Sequence, residues 1–152
     1  MFKHWIAKHA GVASRAYQNP FLTKKRVTVF VRLRCTSWAN KRMGRMGVSG
    51  MTLGGLVLVR NNAWENRMSA CCGAPFTHFE KHEMAHHWQC IRDGLIGHVL
   101  RYAGLWTWIY VAQWSKHPYY DHPAEMEARE LAGQPQVAWR EVGVNRWTPW
   151  IL

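Results

Sequence analysis

The feature that most constrains this chain is a helical segment, residues 76–93, that carries two histidines four positions apart. His82 and His86 frame the pattern His-Glu-x-x-His, and Glu83 directly follows the first histidine. On an α-helix, residues four apart lie on one face, one turn above each other, so both imidazoles can reach a single metal ion. This spacing is typical of a zinc site in which the glutamate contacts a metal-bound water rather than the metal itself.

Both ends of this helix are signalled in the sequence. Thr77 and Glu80 form a capping box before the first turn, and Gly94 stands where a C-terminal cap is expected. The helical period groups the metal-binding pattern on one face, which consists of Phe79, His82, Glu83, His86 and Cys90. The opposite face is predicted to pack in the core and consists of Met84, Trp88 and Ile91.

A catalytic zinc site needs a third protein ligand, and a second predicted helix offers two candidates. Asp121 or His122 caps this helix, and Gly133 ends it. Its carboxylates Glu125 and Glu127 each lie about 80° from the centre of the apolar face, on opposite sides. Periodicity therefore leaves open which of the two is the ligand.

The two motifs together resemble the gluzincin clan of zinc metallopeptidases, and most closely its short bacterial and phage domains. The resemblance rests on the segments His82-Glu83-Met84-Ala85-His86-His87-Trp88-Gln89 and His122-Pro123-Ala124-Glu125-Met126-Glu127-Ala128. It covers residues 52–133 and implies a small zincin-like α+β domain, in which a short sheet packs against the HExxH helix and a second ligand-bearing helix. Arg129 departs from the pattern, because related peptidases often carry Asp or Asn there.

The resemblance also implies an activity, zinc-dependent hydrolysis of a peptide or protein substrate. Zn²⁺ would be held by His82, His86 and Glu125, while Glu83 would act as general base on the bound water. A donor must also stabilise the oxyanion. The candidates close to Glu125 in sequence are Tyr119, Tyr120 and His122.

Positive charge is concentrated in the first third of the chain. Residues 1–50 contain eleven Lys or Arg and no Asp or Glu, whereas the remainder contains nine of each sign, so the net charge of +11 belongs to residues 1–50. Such a block is typical of a surface that binds an anionic partner, either nucleic acid or an acidic protein surface. We expect a basic N-terminal extension, residues 1–50, a metallopeptidase domain, residues 51–152, and a place in a larger assembly.

Two strands are predicted before the HExxH helix. Alternation at about 26–34 predicts a strand with one buried aliphatic face and one basic face, on which Thr28 and Phe30 also lie. Residues 51–60 predict a second strand, and an edge strand beside the metal could hold an extended peptide by main-chain hydrogen bonds. Residues 1–18 predict a short helix.

An apolar and aromatic stretch, residues 95–114, follows the HExxH helix. His98, Arg101 and Gln113 interrupt it, so we predict no transmembrane segment here but a second core helix that shields the zinc helix. The alternative is an aromatic patch that docks on a membrane surface or on a partner.

The sequence also bears on where the protein is located and on functions other than catalysis. Residues 1–10 show no secretory signal, and the four cysteines form no disulfide framework, which favours a reducing, cytoplasmic or virion-associated location. The chain could instead be a zinc-stabilised structural or assembly protein, with a virion as one candidate. It could also be a nucleic-acid-associated protein that acts through its basic first third.

Overall fold

A computed structural model describes residues 10–23, 26–69, 75–111, 119 and 121–134 of the chain. These residues form a mixed α+β fold, which confirms the predicted class. The four strands are β1 (Ala10–Gln18), β2 (Val27–Leu33), β3 (Gly50–Leu53) and β4 (Leu56–Val59). The five helices in the described part are α1 (Trp38–Arg45), α2 (Asn61–Arg67), α3 (His78–Asp93), α4 (Leu95–Val111) and α5 (Pro123–Leu131).

The four strands form one sheet in the order β1-β2-β4-β3. β2 pairs antiparallel with β1 and parallel with β4, and β3 pairs antiparallel with β4. Parallel neighbours need a crossover connection, which α1 and β3 provide between β2 and β4. The sheet therefore contains strands from both sides of residue 50, where the basic extension was predicted to end.

Both faces of the sheet are covered. On one face, Phe30, Val57 and Val59 pack in a cluster with Met84 of α3. On the other face, residues of β2 and β4 pack against Met43 of α1. The strand predicted at 26–34 is confirmed as β2, but its predicted basic face is wrong. Thr28 and Phe30 are both 0% exposed, because β2 is an inner strand with a helix on each side.

The short helix predicted within residues 1–18 is wrong where the structure describes them, because Ala10–Gln18 is β1. From Ala13 onward, side chains packed towards the core alternate with the exposed Ser14, Ala16 and Gln18. Tyr17 is buried and meets the ring of Phe30 edge-on at 5.7 Å. Alanine favours helices and carries little hydrophobic contrast, so the period of two was hidden.

The single strand predicted at 51–60 is a hairpin of β3 and β4. Gly54 and Gly55 form its turn, and Gly54 has a φ of 62°, which glycine adopts without the steric cost of a side chain. The hairpin places β3 at the edge of the sheet, next to α3.

The predicted ends of α3 are confirmed. Thr77 is the N-cap, its capping box with Glu80 is formed, and Gly94 is the C-cap. The predicted core face of this helix holds in part. Met84 is 0% exposed and Trp88 is half-buried, but Ile91 is 40% exposed.

The prediction that residues 95–114 form a core helix is wrong for the described part, α4. Within α4, which is described throughout, Ile109 is the one buried residue. The exposed large apolar side chains are Leu95, Ile96, Val99, Leu100, Trp108, Tyr110 and Val111. Among the described helices, none has both the length and the apolar character needed to span a bilayer.

Candidate metal centre

The structure brings the three predicted ligands together. His82 and His86 of α3 approach Glu125 of α5, and their donor atoms all lie within 4.8 Å of one another. The His82 Nε2 to His86 Nε2 distance is 3.1 Å, and the carboxylate oxygens lie 3.2 Å from His82 Nε2 and 3.3 Å from His86 Nε2. A tetrahedral zinc ion with ligands at about 2.0–2.1 Å holds its donors about 3.3 Å apart. The cluster could therefore hold a metal ion without rearrangement.

Burial supports this interpretation of the cluster. His82, His86 and Glu125 are 8%, 9% and 3% exposed. Glu125 Oε2 is buried and lies 3.2 Å from His82 Nε2, but it makes no hydrogen bond of good geometry with a described residue. An unsatisfied buried carboxylate oxygen is costly, and a cation between the three side chains would remove that cost.

Gln89 orients His86 and joins the two helices of the site. Its Oε1 accepts a hydrogen bond from His86 Nδ1 at 2.8 Å, which leaves the Nε2 lone pair facing the cluster. Its Nε2 donates to the Ala124 carbonyl and to Glu127 Oε2, both at 2.9 Å. Glu127 also accepts from Arg92 at 2.6 Å. These bonds turn Glu127 away from the histidines and leave Glu125 as the carboxylate beside them.

Two tyrosines support Glu125 from the other side. The Tyr102 hydroxyl on α4 donates to Glu125 Oε1 at 2.7 Å, and the Tyr119 hydroxyl also bonds this carboxylate. Burial and the negative charge of Glu125 raise the pKa of both phenols far above the ordinary value, so both remain donors. Arg129, the residue that departs from the gluzincin pattern, is buried with its guanidinium 5.4 Å from the Tyr119 ring centroid. It thus packs behind a residue that holds Glu125.

His122 was predicted to stabilise an oxyanion, but its ring is used to build the fold. It is 0% exposed, its Nδ1 accepts from the Ala124 amide at 3.1 Å, and its Nε2 donates to the Tyr102 carbonyl at 3.0 Å. The ring also stacks on Tyr102 at 4.0 Å. Both nitrogens are engaged, so His122 caps α5 and fixes Tyr102 instead of facing a substrate. Tyr120, another residue predicted to stabilise the oxyanion, lies outside the described residues.

Glu83 lies beside the cluster and is held by the edge strand. Thr52 of β3 donates to Glu83 Oε2 at 2.6 Å. Gly50 of the same strand packs so closely that a Cβ there would collide with Glu83 Oε1. β3 therefore sets the position of this carboxylate as much as α3 does.

The ionisation of the cluster follows from its charges. Burial is the largest single influence and lowers the pKa of His86, but Glu125, Glu83 and Gln89 together raise it by more, so its pKa reaches about 9. Burial opposes ionisation of Glu125, yet the two imidazoles hold its pKa well below the ordinary value. His98 of α4, whose ring lies 6.4 Å from that of His86, has its pKa lowered by burial and by the charge of His86.

The cluster lies in a cleft of about 540 Å³. One part of its wall comes from residues 46–52, including Met46, Val48 and Met51. Another part comes from α4, through His98, Val99, Tyr102, Ala103, Trp106 and Thr107. A mostly apolar cleft with a few convergent polar groups at one place is typical of a binding site for a small molecule or a peptide segment.

Sequence reasoning missed four residues of this site: Gly50, Thr52, His98 and Tyr102. Gly50 and Thr52 act through the approach of β3 to α3, which has no local signal. His98 and Tyr102 lie four apart on α4, as residues on one helix face do. Polar residues at that spacing in an apolar segment are the signal that could have identified them.

Comparisons of the chain with protein-family models, curated proteins and solved structures give no match. The resemblance to gluzincins therefore stays a prediction from the two sequence motifs.

Proposed function

We propose that this protein is a zinc-dependent peptidase. The observation that carries the proposal is the position of a second buried carboxylate, Glu83, beside the His82, His86 and Glu125 cluster and at the wall of an open cleft. A purely structural zinc site is closed and needs no such group, whereas hydrolysis needs a base next to the metal-bound water.

Each side chain of the cleft has a role in this proposal. Zinc bound by the three ligands would lower the pKa of its water towards about 7 and polarise a carbonyl. Glu83 takes the proton of the attacking water and passes it to the leaving amine. Thr52 keeps the Glu83 carboxylate in place. His98, a polar side chain that α4 presents to the cleft, supplies a donor for the oxyanion, whereas the hydroxyl hydrogen of Tyr102 is donated to Glu125.

The edge strand gives the substrate a place to bind. β3 pairs with β4 on one side and lies at the sheet edge on the other, and its residues Gly50, Met51 and Thr52 line the cleft. An extended peptide can add to such an edge through main-chain hydrogen bonds. Its scissile bond would then lie next to Glu83, which contacts the same strand.

The test combines metal analysis with a broad peptide-cleavage assay of the parent protein and Glu83→Gln. Because the amide keeps the shape but cannot take a proton, we expect unchanged zinc content and at least about a 100-fold loss of cleavage. Glu65→Gln, an exposed glutamate of α2, is the matched control and should retain full activity.

Two results would contradict the proposal. One is a protein that binds zinc yet cleaves no peptide in a broad library, with Glu83→Gln silent in every assay. That outcome would favour the structural or assembly alternative. The other is a purified protein that binds no metal and cannot be reconstituted with zinc. The cytoplasmic or virion-associated location and the anionic partner of residues 1–50 stay predictions.

A further inference from the structure

The side of α1 that faces away from the sheet carries a tryptophan among cations. At about 100° per residue, Trp38, Lys41, Arg42 and Arg45 fall within one arc of about 100°, which we call the basic face of α1. Trp38 is 72% exposed, and Lys41 and Arg45 are exposed as well. Met43 lies on the opposite side of the helix and packs in the core with residues of β2 and β4. The basic face is therefore the side that α1 leaves to a partner.

A fourth cation lies against this helix, although it is distant in sequence. Arg60 lies between β4 and α2, and its guanidinium packs on Gly44 of α1, where a Cβ would lie 3.2 Å from Arg60 Nη2. Gly44 is about 60° from Lys41 around the helix, so Arg60 extends the basic face at the Lys41 edge. The fold thus adds a charge to this face that the sequence of α1 does not contain.

Carboxylates do not neutralise these cations. The sequence of α1 contains no Asp or Glu. The neighbouring helix α2 contains one carboxylate, Glu65, which pairs with Arg32 at 2.6 Å. Among the described residues, no carboxylate forms an ion pair with Lys41, Arg45 or Arg60. A surface with several cations and no acid to balance them attracts an anionic partner.

The exposed tryptophan narrows the choice of anionic partner. A single-stranded nucleic acid offers phosphates to the cations and unpaired bases that stack on an aromatic ring. A lipid surface takes up a broad apolar face, and Trp38 is the one apolar side chain on the basic face of α1. The cores of protein interfaces are depleted in lysine. A second copy of this chain is repelled, because each copy carries a net charge of +11.

We propose that the basic face of α1 binds a single-stranded nucleic acid. Trp38 stacks on an unpaired base, and Lys41, Arg45 and Arg60 contact phosphates of the same strand. The anionic partner expected for residues 1–50 would then have a definite site. Phosphates and base faces are common to DNA and RNA, so a single strand of either type binds. This binding does not depend on the metal cluster or on peptidase activity.

Fluorescence anisotropy of the full-length protein with labelled oligo-dT and oligo-U of about 12 nucleotides tests the proposal. The parent should bind both oligonucleotides at low salt. Trp38→Ala should weaken this binding at least about fivefold, because a stacked base is lost, whereas Trp38→Phe keeps a ring and should stay within about threefold of the parent. A duplex of the same length has its bases paired inside, so Trp38→Ala should change duplex binding by less than about twofold.

The salt dependence tests the cations separately from the tryptophan. Each phosphate contact of a single strand adds about 0.7 to the slope of log affinity against log salt concentration, because counterions are released. The double variant Lys41→Gln, Arg45→Gln should therefore bind more weakly and with a slope shallower by about 1.4. Trp38→Ala should leave the slope of the parent unchanged.

Two variants elsewhere in the fold are the matched controls. Trp108→Ala removes a 60% exposed tryptophan from α4, and Arg67→Gln removes an exposed arginine from the end of α2. Both should bind the oligonucleotides as the parent does. Trp38, Lys41 and Arg45 are exposed, so thermal unfolding of their variants should match the parent, and it is measured to exclude misfolding.

The following outcomes overturn the proposal. They are absence of binding to both oligonucleotides at low salt, a salt slope that the double variant leaves unchanged, and a loss from Trp38→Ala that Trp108→Ala matches. An equal loss from Trp38→Ala on the single strand and on the duplex would exclude base stacking. Displacement of the oligonucleotide by polyglutamate or by phosphatidylserine vesicles, as effective as by unlabelled oligonucleotide, would identify an acidic protein or a lipid surface instead.

Discussion

Helices α3 and α4 adjoin each other in the chain, and they differ in what they bury. α3 buries polar residues: Glu80, His82, Glu83, His86, His87 and Gln89. α4 is far more apolar in composition, yet most of its large apolar side chains are exposed. The difference shows that the polarity of a helix does not determine its depth in a fold. A cluster of possible metal ligands can place polar residues inside a fold, and a helix beside it can leave apolar residues outside.

The buried polar residues of α3 are tolerated because they have partners. Glu80 accepts hydrogen bonds from the amide and hydroxyl of Ser69 and from the Thr77 amide. His87 Nδ1 lies 2.7 Å from the hydroxyl of Thr28 in β2. Burial of a polar group costs little when it is hydrogen-bonded and much when it is not. The His87 bond attaches α3 to the sheet, and the Glu80 bonds attach it to the segment that follows α2.

The largest expected contrast between the two helices is in stability. Met84→Ala on α3 removes a side chain that is 0% exposed, and should lower the free energy of unfolding by about 2–5 kcal/mol. Leu100→Ala on α4 removes one that is 67% exposed, and should change it by less than about 0.5 kcal/mol. Chemical denaturation of both variants measures the contrast. Equal destabilisation would mean that α4 is covered by another part of the protein.

A smaller effect is expected when the hydrogen bond between Gln89 and His86 of α3 is removed. Gln89→Leu removes the acceptor that orients His86, and should weaken zinc binding about 10- to 100-fold. Competition with a chromophoric chelator gives the affinity. Glu127→Gln keeps an acceptor for Gln89 and should bind zinc as the parent does, whereas Glu125→Gln should bind it far more weakly. If Glu127→Gln weakened zinc binding and Glu125→Gln did not, Glu127 would be the ligand.

The smallest effect, when expressed per pH unit, concerns the opposite pKa shifts of His86 on α3 and His98 on α4. Because the pKa of His86 is about 9 without metal, its proton must leave when zinc binds. The proton favours the metal-free fold below the ordinary histidine pKa, and this contribution is lost as the pH rises through about 9. Apparent zinc affinity should therefore rise about tenfold per pH unit up to about pH 9.

Calorimetry in two buffers of different ionisation enthalpy counts the released proton. NMR titration of the metal-free protein should show His86 charged and His98 neutral at neutral pH. Zinc affinity that is flat between pH 6 and 8 would contradict the raised pKa of His86.

Features that depend on local chain chemistry were predictable from the sequence. The capping box at Thr77 and the glycine cap at Gly94 act within one turn of the helix, so both ends of α3 were predicted correctly. The spacing of His82 and His86 likewise places both donors on one helix face without help from the rest of the fold.

Features that depend on tertiary contacts could not be predicted. Glu125 and Glu127 are equivalent by periodicity, and Gln89 and Arg92 of another helix decide between them. Apolar periodicity found the helix α4 but could not tell a core from an exposed surface, because both show the same pattern. The approach of β3 to Glu83 depends on the order of strands in the sheet.

The ligands His86 and Glu125 lie on either side of the whole of α4 in the chain. A metal ion that joins them closes this stretch into a loop and acts as a reversible crosslink, whose benefit comes from the entropy it removes from the open chain. A chelator would reopen the loop and leave the apolar helix α4 held to the rest of the protein by weaker contacts. The metal-free protein should then be more susceptible to proteases within α4, and to aggregation, before its sheet unfolds.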